Sequence, residues 1–428
     1  MMAANVFVLG MDDLNAEILR DLPEDRYRFH PLLSKDELIG IEDIDLPALL
    51  DRAQAHLEAF DGPIDAIIGY WDFPVSSMVP ILCRRFGVPG PPLEAVTKCE
   101  HKYWSRLEQR KAIEEVPEFA LIDVDEPARL PANLRYPVWV KPVKSVSSEM
   151  AFRVEDDDQL SGALEEIRDG IGKYAEPFEF VMDQLDELPP EIAEVGARVC
   201  LAEEAAVGRQ VTVEGYRTAG RSHVYGIVDS LHYPGTSSFL RYQYPSRLPE
   251  EMQSRLATLS ERVIDQIGLD QMTFNIEYFW DPDTDRIRLL EVNPRHSQSH
   301  ALLFERVDGV SNHEVLVKLA LGEEPTEPRG DGDYGVAGKC FLRAFDDALV
   351  VRAPSPEDVA RVEREVDGVT VEVVAEQGHR LSELSQQDSY SYELALLFIG
   401  AQDEAELNTK YDQCVRMLPF EFEEVSHG

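Results

Sequence analysis

The sequence predicts an α/β chain of more than one domain, and three observations carry that expectation. Short apolar strands alternate with helical patterns over residues 1–93, an acid-rich hairpin lies around residue 280, and strands and helices mix over 334–428. A length of 428 residues with 44% apolar side chains supports two or three sizeable cores.

The chain opens with a buried strand over 5–10 (NVFVLG), a helical pattern over 14–22, a second strand over 66–69 and a helix over 76–86. This is the order of a small parallel sheet with helical crossovers. No G-x-G-x-x-G follows the first strand, so nothing marks a dinucleotide site there. The loop Gly69, Tyr70, Trp71, Asp72 follows a strand end, where open sheets bind ligands, although its aromatics serve packing equally well. A turn-rich break at 87–92 precedes a helix expected over 94–115, on which Lys102 and Arg106 stand one turn apart and Lys98 shares their face. A β-branched strand at 137–142 ends in Lys141 and runs into the polar loop 143–150, which holds Lys144, Ser147 and Ser148 but no glycine. A short strand over 151–154 comes next.

Helical stretches and acidic loops fill 156–197. Strands are expected at 199–204, 210–216 and 223–229, then a polar, aromatic loop region that contains Arg241. Met252, Leu256, Leu259, Val263 and Ile267 form one apolar stripe on a helix over 250–267. A helix over 312–321 stops at Gly322, and the Pro-, Gly- and acid-rich stretch 323–333 marks a boundary. Strands at 339–343, 369–374 and 392–400 and helices at 356–365 and 404–417 complete the chain.

Composition narrows the class of function. Forty-one basic against 81 acidic residues leave a net charge of −40, which argues against nucleic acid and anionic membranes as partners. The surface reads as adapted to high salt. Ten of the basic residues are lysines, and five of those lie between 98 and 144, which favours an anion-binding role for that region. There is no apolar run of membrane-spanning length and no signal pattern, so a cytoplasmic protein is expected. Five scattered cysteines without a C-x-x-C pair imply neither zinc nor a disulfide framework.

The acidic hairpin carries the chemistry. Strands over 274–279 and 287–292 flank an Asp-rich turn at 281–285, so Glu277 and Glu291 can project together, with Asn293 on the same face as Glu291. Two carboxylates and an amide oxygen suit Mg²⁺ or Mn²⁺ held with a polyphosphate, and Arg295 places a fixed cation beside them. Arg241 is a candidate for a substrate carboxylate or a phosphate.

This E…E-x-N-x-R arrangement resembles the metal site of the ATP-grasp superfamily, and the likeness extends along nearly the whole chain. The resemblance implies an ATP-grasp fold: an N-terminal parallel α/β domain over 1–93, a two-lobed ATP-binding domain over 94–325, and a small mixed C-terminal domain over 334–428. The small lobe would run about 135–205 and the large lobe about 206–325. It implies ATP and Mg²⁺ as cofactors. Lys102 and Lys141 would contact phosphates, and Lys144, Ser147 and Ser148 would stand in for the usual glycine-rich cover. Glu203 or Glu204 would mark the hinge, with Ala205 and Ala206 against the adenine. Gln210 stands where a ribose-binding glutamate is usual, with Glu214 as the alternative. His296, Ser297 and His300 lie where many members bind the acceptor, and Lys141, Arg295 and Arg241 are the expected catalytic cations.

By resemblance the nearest group is the L-amino-acid and dipeptide ligases, carnosine-synthase-like enzymes among them. They join a carboxylate to an amine through an acyl-phosphate. The alternatives are a carboxylase or purine-pathway enzyme of the same superfamily, and a catalytically weakened nucleotide-binding protein. The expected partners are a small-molecule carboxylate and an amine, with a homodimer as the assembly to test.

Overall fold

The computed structural model describes residues 3–146, 149–326, 330–384 and 391–424. Its first sheet is parallel, with β1 (Ala4–Met11) between β2 (Tyr27–Ser34) and β3 (Ala66–Gly69). The sequence reading missed β2, whose Arg28, His30 and Pro31 hide an apolar signature. At a sheet edge a proline costs no ladder bond, and that is where β2 lies. The helix Leu46–Glu58, also missed, buries Leu46, Leu49, Leu50, Ala53 and Leu57.

The helix expected over 94–115 is two helices, Leu93–Glu100 and Lys102–Ala112. His101 breaks it with extended backbone (φ −87°, ψ 96°), and its ring nitrogen accepts from the Trp104 amide to start the second helix. The break separates Lys98 from Lys102: Lys98 pairs instead with Glu94 at 2.6 Å. Beyond it, β4 (Phe119–Ile122), β5 (Val138–Pro142), β6 (Phe152–Val154) and β7 (Cys200–Glu204) form an antiparallel sheet in the order β4-β7-β5-β6. The helices Asp157–Gly170 and Gly172–Met182 contribute Leu160, Leu164, Ile167, Phe178 and Val181 to its core.

The largest sheet has eight strands. β8 (Arg209–Thr218), β9 (Arg221–His232), β10 (Phe239–Tyr244), β11 (Met272–Asp281) and β12 (Arg286–Asn293) come from the segment expected as the large lobe. β13 (Val336–Ala344), β15 (Val369–Val373) and β16 (Tyr392–Ala401) continue it, in the order β12-β11-β8-β9-β10-β13-β16-β15. The segment expected as a separate C-terminal unit therefore shares a sheet with the large lobe. β14 (Ala348–Arg352) and β17 (Glu421–Glu424) make a small separate pair. The sequence pattern around Arg241 predicts a loop where the structure has β10. Its mixed residues form a strand because β9 and β13 pair with it on both sides.

Period-two alternation gives this sheet two different faces. Val211, Val213, Phe274, Ile276 and Tyr278 face the helix Glu250–Ile267 and share a core with its Met252, Leu256, Val263 and Ile267. Gln210, Thr212, Ser230, Asn275 and Glu277 lie on the opposite face and line a cavity. At Gly208 a Cβ would sit 2.4 Å from the Trp280 carbonyl oxygen, so the entry to β8 can pass the hairpin only as glycine. Among the described residues no helix is long and apolar enough to cross a membrane.

Candidate active site

The hairpin forms as its sequence dictates. Glu277 pairs directly with Glu291, and Asn275 with Asn293. Removal from water, and then the neighbouring Glu291 charge, push the Glu277 carboxyl up to about 7, while Gln210 Nε2 donates to Glu277 Oε2 at 2.9 Å. Glu291 behaves oppositely: desolvation would raise it, but Lys102 (3.2 Å) and Lys141 overcome that and hold it low. Asn293 Nδ2 donates to Asn275 Oδ1 at 3.0 Å, which leaves Asn293 Oδ1 as the acceptor. No group of three or more His, Cys, Asp or Glu side chains converges as a metal cluster among the described residues. Two opposed carboxylates and one amide oxygen still fit a hard divalent cation whose other ligands are phosphate oxygens. At Glu277 burial and the Glu291 charge outweigh the more distant Arg295.

Two cations of the small-lobe side are held by carboxylates. Glu203, 3% exposed, receives Arg106 Nε at 2.5 Å and Lys141 Nζ at 2.7 Å. Burial would raise its carboxyl, yet these two charges hold it at about 2. Arg106 also donates to the carbonyls of Leu289 (3.2 Å) and Leu290 (2.6 Å), so one guanidinium locks β12 to β7. Lys102 Nζ reaches Ser145 O at 2.7 Å besides Glu291, and so joins the loop after β5 to the hairpin. Lys144 is turned inward: it is 1% exposed, paired with Glu100, and its ammonium lies over the rings of Phe73 and Phe178. Ser147 and Ser148 lie outside the described residues. Glu204 binds Arg286 (3.3 Å) and Arg288 (3.4 Å) of β12, and Ala205 and Ala206 follow it in the connection to β8.

Beyond the hairpin, Arg295 is clamped from the N-terminal domain. Its Nε and Nη2 lie 2.7 and 2.5 Å from Asp72 Oδ1. The loop holding Asp72 is thus part of the site, and the sequence had placed it only as a possible pocket wall. His300 Nδ1 meets Glu214 Oε1 at 2.8 Å, and Ser297 N donates to the same oxygen at 2.9 Å. Glu214 is therefore occupied by the 297–300 loop. A proton on Nδ1 leaves Nε2 as the basic nitrogen of a ring that lines the cavity.

His296 points elsewhere. Thr273 Oγ1, His296, His313 and Asn15 form a buried chain with contacts of 3.0, 2.9 and 2.7 Å, and Asn15 Nδ2 donates on to Asp12. Both rings are neutral: burial lowers His313 to about 3, and burial first, then the competing His313 ring and the Arg295 charge, take His296 well below its usual value. His296 thus joins the large lobe to the N-terminal domain. Arg241 is not brought to the cavity either. It leans off the other face of β10 onto Glu404 (3.0 Å) and Asn408 (2.7 Å) of the helix Glu404–Met417. Alternation explains it, since the adjacent Tyr242 takes the cavity side.

The cavity of about 240 Å³ is lined by Gln210, Thr212, Ser230, Tyr242, Asn275, Glu277, Arg295 and the 297–300 loop. Thr212 and Asn275 were legible from strand alternation once Gln210 and Glu277 were chosen. Tyr242 was not, because β10 was not recognised as a strand.

Comparison with known proteins agrees with this geometry. Residues 134–301 match the family model described as ATP-grasp domain. Uncharacterized protein y4rH of Sinorhizobium fredii is 23% identical over 320 residues, 70% of this chain and 60% of that protein. The C-terminal section of the carbamoyl phosphate synthase large chain of Methanopyrus kandleri is 23% identical over 273 residues, 61% of this chain and 46% of that one. The matches thus span about half the length of these curated relatives. Among solved structures, the L-amino acid ligase from Bacillus licheniformis superposes with a TM-score of 0.72 at 17% identity, covering 99% of this chain and 100% of that one. A biotin carboxylase from Campylobacter jejuni gives 0.66 at 16% identity, with 98% and 92% covered.

Proposed function

We propose that this chain, which carries an ATP-grasp domain, is an ATP- and Mg²⁺-dependent ligase that joins a carboxylate to an amine through an acyl-phosphate. The observation that carries the reading is the Glu214–His300 pair, set on the same cavity as Glu277 and Arg295. A nucleophile that arrives as an ammonium ion must lose protons, and an imidazole oriented by a carboxylate is built to take one. The whole-length likeness to an L-amino acid ligase supports the same reading, and amino-acid substrates with it.

In the first step a substrate carboxylate oxygen attacks the γ-phosphorus of ATP. The bond from that phosphorus to the β,γ-bridging oxygen breaks, leaving an acyl-phosphate and ADP. In the second, His300 Nε2 takes one proton from the ammonium, the freed amine nitrogen attacks the acyl carbon, the carbon–oxygen bond to phosphate breaks, and the surplus N–H proton leaves with the phosphate. Mg²⁺ held by Glu277, Glu291 and Asn293 would neutralise phosphoryl oxygens. Lys141 and Lys102 would hold the phosphates, and Arg295, fixed by Asp72, would face the charge that develops at the acyl centre. Most of the rate would come from positioning.

The test is phosphate release from ATP and Mg²⁺ with pools of carboxylates and amines, with products read by mass spectrometry. Release that requires an amine and yields an amide supports the reading. Release that requires bicarbonate and no amine would assign the chain to carboxylate chemistry of the biotin-carboxylase or carbamoyl-phosphate-synthase kind. ATP binding without any release would identify a nucleotide-binding protein.

A further inference from the structure

Eight of the ten lysines form ion pairs with carboxylates, as expected in a chain of net charge −40. Lys35 and Lys339 do not pair with a carboxylate among the described residues. Lys339 lies against the cavity wall, and the Lys35 charge acts on it. Lys339, on β13, is 8% exposed, and its ammonium donates to Ser299 Oγ, 2.9 Å away on the cavity wall. Its neighbour across the β10–β13 ladder is Tyr242, which also lines the cavity. The ammonium rests over the rings of Phe341 and Phe398 at 5.2 and 5.4 Å. Lys35 reaches the same region from the N-terminal domain, over the Trp71 ring next to Asp72. Burial lowers the Lys339 pKa. Glu393 and Glu372 act from a distance to raise it, whereas the charges of Lys35 and Arg343 lower it further. Arg343 already holds Glu393 at 2.6 Å, so that carboxylate is engaged.

A buried ammonium facing a second cation, without a carboxylate in contact, is costly unless an anion joins it. We propose that Lys339, assisted by Lys35, seats the carboxylate of the amine substrate, so that the acceptor is a free amino acid or peptide and the product keeps a free carboxylate. This rests on the ligase reading above and names the substrate class of that site. Placement selects the acceptor over the donor. Ser299, which touches Lys339, is followed directly by His300, the base assigned to the amine, and Tyr242 stands edge-on to the His300 ring at 5.2 Å. One small molecule thus meets a base at its amine and a cation at its carboxylate. The donor carboxylate belongs by Arg295 and the hairpin. Tyr242, Phe239 and Phe341 pack together beside this seat, at 5.0 and 5.1 Å from the Tyr242 ring, and give the acceptor side chain an aromatic wall.

The experiment supplies the twenty L-amino acids as acceptors alongside their carboxamides, with a pool of amino acids as donors and amide products read by mass spectrometry. The wild-type protein should use free acids over the carboxamides by at least roughly tenfold in kcat/KM. Lys339→Met should raise the acceptor KM by at least roughly tenfold and erase that preference, leave the KM for ATP unchanged, and be partly rescued in Lys339→Arg. A melting midpoint close to wild type establishes that Lys339→Met is folded; if it does not fold, Lys35→Met gives the same readout with a smaller shift. Equal use of acids and carboxamides overturns the inference while the ligase reading stands. So does a Lys339→Met effect confined to the donor KM. Absence of amine-dependent phosphate release with every acceptor removes the ligase reading, and this inference with it.

Discussion

Glu277 and Glu291 stand opposite each other in direct register on β11 and β12, and only Glu291 has a lysine partner, Lys102. Burial first, and then the Glu291 charge, hold the Glu277 carboxyl at about 7 instead of its ordinary 4.5. A carboxyl whose pKa is raised on folding binds more protons folded than unfolded between those two values. Its contribution therefore lowers stability as pH rises from about 4.5 to about 7. Thermal melts of metal-free protein should show Mg²⁺ stabilising more at pH 8 than at pH 5.5. Glu277→Gln should remove most of that difference and cut ATP turnover by at least roughly a hundredfold. Glu291→Gln should cut turnover similarly; near-normal turnover in a folded variant would end the metal assignment.

In the bridge Arg106–Glu203–Lys141, one cation is structural and the other is proposed to bind phosphate. Lys141→Met leaves Arg106 on Glu203, so ATP affinity by calorimetry should weaken by at least roughly tenfold with a small change in melting midpoint. Glu203→Ala strands two cations in the interior and should cost about 3–5 kcal/mol in denaturant unfolding. The Glu203 contribution is present above about pH 4.5 and lost as pH falls toward 2, so the acid limb of the wild-type stability curve should steepen there. An ATP affinity indifferent to Lys141→Met would leave that lysine with a packing role alone.

His300 and Glu214 act as one unit. His300→Gln should depress amine-dependent turnover by roughly a hundredfold or more while ATP binding stays intact. Glu214→Gln keeps an acceptor for His300 and Ser297 but loses the charge, so its effect should fall in kcat more than in the acceptor KM. A loss confined to KM would make His300 a binding residue.

The His296–His313–Asn15 chain ties the N-terminal domain to the large lobe through neutral rings. With His313 lowered from 6.5 to about 3, the unfolded chain takes a proton that the folded one refuses, and stability is lost as pH falls through that window. His313→Asn should lower stability at pH 7.5 by about 1–3 kcal/mol and flatten the slope between pH 6.5 and 4. If the slope is unchanged, another group sets the acid response.

How far the sequence reached follows from what each signal depends on. The hairpin was legible because turn chemistry and strand alternation are local, and they alone put Glu277 beside Glu291. Lys141 was legible for the same reason, at the end of an apolar strand. Arg241, His296 and Lys144 were misplaced because their direction depends on which face of a strand or loop meets another domain. Asp72 and Lys339 could not be assigned at all. Asp72 meets Arg295 across 223 residues, and Lys339 touches Ser299 across 40. Asp72 reaches Arg295 only when the loop after β3 meets the chain beyond β12, and Lys339 reaches Ser299 only with β13 laid beside β10.

The acidic surface supplies the last prediction. With a net charge of −40, self-repulsion is strongest where screening is weakest. The Debye length is ~30 Å at 0.01 M salt and ~3 Å at 1 M. Added KCl should raise the unfolding midpoint steeply at first and level off once screening is nearly complete. Continued stabilisation at molar salt would point to ion exclusion or specific ion binding instead. Buried pairs such as Glu203–Arg106 are shielded from the added ions, so they contribute little to this response. The proposed phosphate site should run the other way. On that reading Lys102 and Lys141 would attract the triphosphate through a field that added ions weaken, so ATP affinity should decline over the range in which stability climbs. A midpoint that stays flat from low to high salt would reject the adaptation and leave the acidity to be explained by a basic partner.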